Sequence, residues 1–285
     1  MCESMEFETI KFELEENGIG FLTFNRPEKA NAISFQMVED LHSLLDTLMT
    51  NLDCRVLIMK AEGKVFNAGQ DLSDATALKS KKKPDHLKKY YFLDVPEIVK
   101  SFMYYQWRIA DLIIKMRKIS QPIIAVIQGA AMGAGFSIVM AADIRLAGKN
   151  AKFNAGYINI GLTGADMGSS YFLPRLIGLS RASEILYTGR FLGAEEATKI
   201  GFVLKIVEEE KLVDSAIEMA REMLTKSPLG LRMTKQAINL SLDSPSLETI
   251  IQLENRGQVL AGSSADVWEA FTAYMDKRDP KFPLR

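Results

Sequence analysis

The stretch "PIIAVIQGAAMGAGFSIVMAA", residues 122–142, carries no charge over a length that could cross a bilayer, and it contains G-x-x-x-G from Gly129 to Gly133. Its composition changes along its length, and a membrane helix leaves that change unexplained. "IIAVI" is a β-branched run, "QGAAMGAG" is a Gly/Ala cluster with one glutamine, and "FSIVMAA" has helical character. A buried strand, a tight turn and a buried helix account for all three parts. The stretch therefore predicts the interior of a globular core, and no membrane association is expected.

The flanking sequence fits that interior. Residues 7–25 alternate in polarity around "ENG" at 16–18, which predicts a hairpin. From Ser34, "SFQMVEDLHSLLDTLMTN" places apolar residues at helical spacing behind a serine cap, and "RVLIMKA" follows as a buried strand. Residues 73–100 are polar and basic, then aromatic, and lead into a helix predicted from about Ile98 to Lys118. "DIRLAG" closes the series as a short strand. Strands followed by helices, with Gly-rich turns at strand ends, imply an α/β core over residues 1–200. Beyond about Gly201 the periodicity is helical, as in "EKLVDSAIEMAREMLTKSP" and "SLETIIQLENRGQVLAG", so residues 201–285 are expected to form a helical C-terminal region.

Charge and cysteine content narrow the function classes. Thirty-five Lys and Arg against 36 Asp and Glu leave a net charge of -1, so no global field favours nucleic acid or acidic membranes. The run "KSKKKPDHLKK" reads as solvated loop charge, or as attraction for phosphates through Lys81, Lys82 and Lys83. Its aromatics follow the lysines instead of interleaving with them, which argues against RNA. Cys2 and Cys54 give neither a disulfide framework nor metal-ligand spacing, which fits a reducing, cytoplasmic location and no metal. The start "MCESMEFETI" is acidic and lacks a basic segment followed by an apolar run, so a secretory signal is not expected. His42 and His86, the two imidazoles, read as surface residues.

Two turns stand out, "FNAGQDL" and "QGAAMGAGFS". Small residues at strand ends let a ligand approach the backbone, and a helix starting just beyond offers unpaired N–H groups. Neither turn matches a nucleotide-binding motif. On residue chemistry alone, each is either a ligand cradle or a close strand-to-helix packing turn.

Together with "FNRPEKANAIS", "VFNAGQDL", "IQGAAMGAGFSIVMAADIRLA", "IGLTGADMGSSYFLPRLIGLSRASEILYTGR", "AEEATKIGFV" and "FTAYMDKR", these turns resemble the crotonase superfamily of enoyl-CoA hydratases and isomerases. Order and spacing agree over nearly the whole chain. The resemblance implies a spiral of repeated ββα units, a helical trimerisation region and assembly as a trimer or a dimer of trimers. It implies acyl-CoA thioester substrates with no separate cofactor, coenzyme A arriving as part of the substrate. It also implies an oxyanion hole made by the backbone N–H groups of Gln70 and Ala134, where Ala134 fills a position usually held by glycine. Carried over in the same way, Lys29, Ala30, Ala32, Ala68, Gln70, Asp71, Leu72, Gly133 and Ala134 line the substrate site, with Tyr274 and Lys277 of a neighbouring subunit reaching the coenzyme.

The sequence departs from that pattern where the resemblance places the two glutamates of well-known hydratases, which are here Ser137 and Tyr157. One acid stands nearby, Asp166 in "GLTGADMGSSYFLPR", residues 161–175. It aligns with an aspartate that moves protons in dienoyl-CoA isomerases and is the nucleophile of 4-chlorobenzoyl-CoA dehalogenases, in a loop here one residue longer. The helix before the "QG" turn lacks the histidine those dehalogenases use, so halide displacement is discounted. Asp166 is expected to be either the acid/base of the acyl pocket, with its pKa raised by apolar walls, or an N-cap of the following helix. Tyr157 is expected to donate a hydroxyl or to wall the pocket. The expected activity is hydration or isomerisation of a C=C bond through a thioester enolate. Thioester hydrolysis, C–C cleavage and non-catalytic acyl-CoA or RNA binding are the rivals.

Overall fold

The β-branched and aromatic runs of the chain assemble into one large sheet and one small one. The computed structural model describes residues 3–71, 73, 95–244 and 246–282. Strands β1 (Glu3–Glu6), β2 (Ile10–Leu14) and β3 (Ile19–Phe24) pair antiparallel, and Gly18 turns the β2–β3 hairpin at φ +93°. From β3 the sheet continues in parallel through β4 (Val56–Ala61), β5 (Ile123–Ile127), β7 (Ile144–Ala147) and β10 (Lys205–Ile206). The antiparallel β2 alternates buried and exposed residues, whereas β3 and β5 are buried throughout, as a sheet covered on both faces requires.

Helices α1 (Phe35–Thr50), α2 (Glu97–Lys118) and α3 (Ala134–Ala141) share one core with Leu22, Phe24, Leu57, Met59 and Ile123. The opposite face of the sheet, with Phe21, Ile58, Ile124 and Leu146, packs on Leu212, Ala216 and Ala220 of α7 (Leu212–Leu224). Helices α4 (Ser169–Ile177), α5 (Leu179–Thr188) and α6 (Ala194–Lys199) precede α7, and α8 (Pro228–Ser241), α9 (Leu247–Gly262) and α10 (Ala265–Asp276) follow it.

Burial separates these helices sharply. Ser34 caps α1 by accepting a hydrogen bond from the Met37 N–H, and the helix buries Met37, Val38, Leu41, Leu44, Leu45 and Leu48. A fully buried side chain of this kind is worth about 1.5–3 kcal/mol, so α1 is integral to the core. Helix α9 buries none of its residues, and Leu247, Val259 and Leu260 lie open.

The structure differs from the sequence reading in three places here, the first being that Lys205–Ile206, in the stretch expected to be helical, form β10 at the edge of the large sheet because β7 offers it a parallel partner. The Gly/Ala turn after β5 contains a short strand, β6 (Ala130–Met132), which pairs with β8 (Lys152–Asn154) in a second sheet completed by β9 (Leu192–Gly193). His42 is buried, not a surface residue, because α1 turns it inward and its Nε2 meets the Arg108 carbonyl at 2.8 Å. His86 and Lys81, Lys82 and Lys83 lie outside the described residues. Among the described residues no helix is long and apolar enough to cross a membrane, and the uncharged run at residues 122–142 splits into β5, β6 and the eight-residue α3.

Candidate active site

The turns that leave β4 and β5 touch each other, and glycine makes the contact feasible. A Cβ on Gly129 would stand 1.9 Å from the Lys64 carbonyl oxygen. A Cβ on Gly69, whose φ is +89°, would stand 2.8 Å from the Met132 carbonyl oxygen and 3.6 Å from the Ala134 nitrogen. Both backbones therefore run at a separation that no other side chain permits.

Two asparagines with no solvent exposure hold the first turn. Asn67 Nδ2 donates to the Asn31 carbonyl at 2.7 Å, and Asn67 Oδ1 accepts from the Gly69 N–H at 2.9 Å. Asn31 Nδ2 donates to the carbonyls of Glu62 and Val65, both at 2.8 Å, and its backbone, like that of Ala30, is left-handed. Sequence reasoning passed over both residues, although "NAGQD" placed Asn67 in view. Asp71 ties the same turn to Arg26 at 3.1 Å and to the Ser73 hydroxyl at 2.5 Å, and those two partners, Ser73 first, hold its carboxyl below the usual range.

Within this frame Gln70 forms an isolated parallel bridge with Ile33. Ile33 donates to the Gly69 carbonyl at 2.7 Å and accepts from the Asp71 N–H at 2.9 Å, so the bridge is bonded through Gln70's neighbours. The N–H of Gln70 itself has no partner among the described residues. Ala134 opens α3, where first-turn N–H groups lack intrahelical acceptors. Gly133 takes the positive φ of +51° and Ala134 is helical, so alanine fits without strain.

Asp166 is attached to α3 by its backbone. The Ser137 hydroxyl, one turn along from Ala134, donates to the Asp166 carbonyl at 3.1 Å. Asp166 N–H donates to Ser169 Oγ at 2.9 Å, and Ser169 N–H returns a bond to the Asp166 carbonyl at 2.9 Å. Met167 at φ +45° and Gly168 at φ +81° turn the loop sharply between them. The capping alternative for Asp166 is thereby overturned: Gly168 occupies the N-cap of α4, no side chain caps it, and the carboxylate accepts a hydrogen bond from Gln106 Nε2 of α2 instead. Burial pushes the Asp166 carboxyl above its usual range, opposed by the Gln106 amide and the Met167 N–H.

Tyr157 lies under the same point. A methyl on Gly133 would stand 3.6 Å from Tyr157 Cδ1 and 4.0 Å from the Gly69 Cα. Its hydroxyl is shut off from solvent and makes no hydrogen bond among the described residues, although the Ser169 and Ser137 hydroxyls are close enough to act on it. Burial, reinforced by the Asp166 charge, raises the phenol's pKa, so it stays protonated.

The structure thus gathers Ala68, Gln70, Gly133, Ala134, Tyr157 and Asp166 in one place, with Ala30 joined through the Ala68 N–H at 3.0 Å. Lys29 is exposed at the end of the turn Pro27–Lys29, Ala32 follows two residues after Ala30, and Leu72 lies outside the described residues. Tyr274, 83% exposed, and Lys277 stand on and just beyond α10, and no hydrogen bond among the described residues joins them to Gln70, Ala134 or Asp166. Gln106, Asn31, Asn67 and Ser169 are the members that sequence reasoning missed. The unpaired Gln70 N–H, the first-turn N–H of Ala134 and the half-buried Asp166 carboxylate are groups of the kind suited to chemistry in which negative charge develops on a carbonyl oxygen while a proton moves.

Known proteins share this arrangement of elements. The enoyl-CoA hydratase/isomerase family model matches residues 14–284. The chain is 36% identical over 265 residues to the probable enoyl-CoA hydratase EchA12 of Mycobacterium tuberculosis, covering 93% of this chain and 89% of that protein. It is 33% identical over 270 residues to the 1,2-epoxyphenylacetyl-CoA isomerase of Escherichia coli, covering 94% and 95%. The crystal structure of a probable enoyl-CoA hydratase/isomerase from Mycobacterium abscessus superposes with a TM-score of 0.85 at 32% identity, over 98% of this chain and 100% of that one. The α/β core with C-terminal helices is accordingly the crotonase fold.

Proposed function

Because the chain belongs to the enoyl-CoA hydratase/isomerase family and is an acyl-CoA enzyme of that type, we propose that it shifts a carbon–carbon double bond by proton transfer through Asp166. The observation that carries this reading is the half-buried Asp166, whose backbone carbonyl is tied to α3 by the Ser137 hydroxyl one turn from the Ala134 amide. The usual hydratase pair of glutamates is replaced by Ser137 and Tyr157, so one acid serves both proton removal and proton return.

In this mechanism the thioester carbonyl oxygen accepts from the Gln70 and Ala134 N–H groups. Asp166 takes a proton from the α or γ carbon, and the electron pair of that C–H bond flows into the thioester as an enolate or dienolate. The two amides stabilise the oxyanion, an effect typically worth about 10²–10³ in kcat per donor. Return of the proton at the other carbon completes the shift, with no atom gained or lost. A carboxyl raised toward neutrality can serve as base and then as acid. Tyr157 backs Gly133 as a wall, its hydroxyl turned toward Ser137 and Ser169.

Lys29, Ala30, Ala32, Ala68, Asp71, Leu72 and Gly133 complete the substrate site, and coenzyme A enters with the substrate, with no separate cofactor or metal. Trp268, 68% exposed, Phe271, 61% exposed, and Tyr274 form an open apolar stripe on α10, beside the unburied α9. That surface supports a homotrimer or dimer of trimers, with Tyr274 and Lys277 meeting the coenzyme of a neighbour. Light scattering at micromolar concentration should then give a multiple of three subunits, and a monomer would overturn it. The unpaired Cys54 thiol accords with a cytoplasmic place.

Hydration is the second reading, favoured by the name of the mycobacterial relative. A panel of linear, branched and aromatic enoyl-CoA thioesters, incubated in deuterated water and read by mass spectrometry, separates the outcomes. Isomerisation predicts a product with no water gained, carrying deuterium at the α or γ carbon. Accumulation of 3-hydroxyacyl-CoA returns hydration, free coenzyme A returns hydrolysis or C–C cleavage, and binding without turnover returns a non-catalytic member.

A further inference from the structure

Helix α2 carries a residue that nothing in the sequence pattern pointed to. Its buried side chains Tyr105, Ile109 and Ile113 fix which face meets the rest of the molecule, and Ile113 Cγ2 lies 3.5 Å from the position a Cβ would take on Gly168. Gln106 stands two turns before Ile113 on that face, at the solvent edge, and its Nε2 donates to Asp166 Oδ1 across 60 residues of sequence. An exposed glutamine amide ordinarily points into water. Here it is spent on a half-buried carboxylate, where a charge-assisted bond is about twice as strong as a neutral one.

We propose that Gln106 is a positioning residue for Asp166, its amide holding Oδ1 in both protonation states and so fixing the aim of the carboxylate. The inference rests on Asp166 being the acid/base. A group that alternates between carboxylate and carboxylic acid needs a partner that both donates and accepts, and an amide has both ends. A lysine or arginine could only donate and would pin the ionised form.

The charges around Asp166 leave that task to Gln106. On α2, Arg108 pairs with Glu39, Lys115 with Asp46 and Arg117 with Asp143, and Asp111 acts on Arg108 and His42. Helix α3 carries no charged residue. On α4, Arg175 lies over the Tyr171 ring at 3.8 Å, and on α5, which meets the loop at Gly164 through the Leu186 carbonyl, Glu184 pairs with Arg190. Tyr157 is the titratable group that faces Asp166, and no salt bridge reaches Asp166 among the described residues.

The test is a pH titration of Gln106→Leu and Gln106→Glu beside the parent protein. Infrared spectroscopy reads the Asp166 carboxyl band, identified as the one missing from Asp166→Asn, and kinetics reads kcat and KM separately. Leucine removes a donor to the ionised form, so the Asp166 midpoint and the acid limb of kcat/KM should both move up by roughly half a pH unit or more. Glutamate adds a like charge and should move them further. In Gln106→Leu, kcat should fall about tenfold with KM within about twofold, the pattern of a contact that matters in the transition state. A merely structural role would lower the melting temperature and leave the midpoint in place; an unmoved midpoint in both variants overturns the proposal. Full activity of Asp166→Asn would instead overturn the acid/base reading, and the infrared midpoint decides the Gln106 contact without turnover.

Discussion

In the proposed mechanism Gln70 and Ala134 offer backbone atoms to the site and Asp166 offers a side chain, and the support built around each matches that difference. The amide half is framed by groups that fix main-chain direction: Gly69 and Gly133 at positive φ, Asn31 and Asn67 fully buried, and the helical start of α3. Under the proposed mechanism neither the glutamine nor the alanine side chain has to act. The carboxylate half is framed by groups that bear on its ionisation, namely burial, Gln106 and the Met167 N–H, while the serines at 137 and 169 hold its backbone in place. One half should therefore tolerate side-chain replacement and fail on backbone change, and the other should do the reverse.

The largest effect is expected where the backbone half is cut. Gln70→Pro removes one oxyanion donor and should lower kcat by about 10²–10³, whereas Gln70→Ala should stay within about tenfold of the parent. Circular dichroism of both variants checks that the fold is kept. Equal, severe losses would show that the glutamine side chain takes part and would dissolve the distinction between the halves.

Asp166→Asn comes next. It preserves shape and hydrogen bonding but not ionisation, so kcat should fall at least about 10²-fold while acyl-CoA affinity, measured by calorimetry, stays within a few-fold. Exchange of the substrate's α or γ hydrogens with deuterated water should cease. Retained turnover would leave the carboxylate as loop architecture.

A smaller effect is expected at Tyr157, which borders both halves. Tyr157→Phe removes a buried hydroxyl that has no hydrogen bond among the described residues, so kcat should change by less than about fivefold and the melting temperature should hold or rise. A loss approaching that of Asp166→Asn would promote Tyr157 from wall to proton donor.

The smallest effect is on stability. Because the folded state raises the Asp166 pKa, it binds that proton more readily than the unfolded chain does. Asp166 therefore favours folding most at pH below the ordinary carboxyl value, and the advantage is lost as pH rises through the raised one. At neutral pH the ionised group is a burden, so Asp166→Asn should be slightly more stable than the parent, and the gain should vanish in acid. Urea midpoints at the two pH values measure it. A variant less stable at neutral pH would mean that the charge itself holds the loop.

Much of the frame was legible along the chain because its signals are local. Ser34 ahead of a helical stripe, the turn at Gly18 and the run Ile123–Ile127 each fall where periodicity and turn chemistry put them. The errors fall where the deciding partner is remote. Residues 130–132 have a turn-like composition yet form β6, because β8 offers hydrogen bonds from 22 residues further on. Asp166 precedes a helix and carries a good capping group, yet Ser169 and Gly168 manage that helix start while Gln106 draws the carboxylate away. His42 shares a helix with polar residues, and only the packing of α2 on α1 buries it.

The sequence by itself determined the order and kind of the larger elements, the interruption of its most apolar stretch, and the two glycine-marked turns where a backbone could be approached. Those properties rest on spacing of 2 and 3.6 residues and on the conformational freedom of glycine, which act within a few residues. Tertiary structure alone decided that Gly69 meets Met132 and Ala134, that Asp166 rests on α3 through Ser137, and that Gln106 reaches it from α2. Strand register and helix packing set such meetings between distant residues, and the shift in an acid's pKa depends on which groups then exclude water from it.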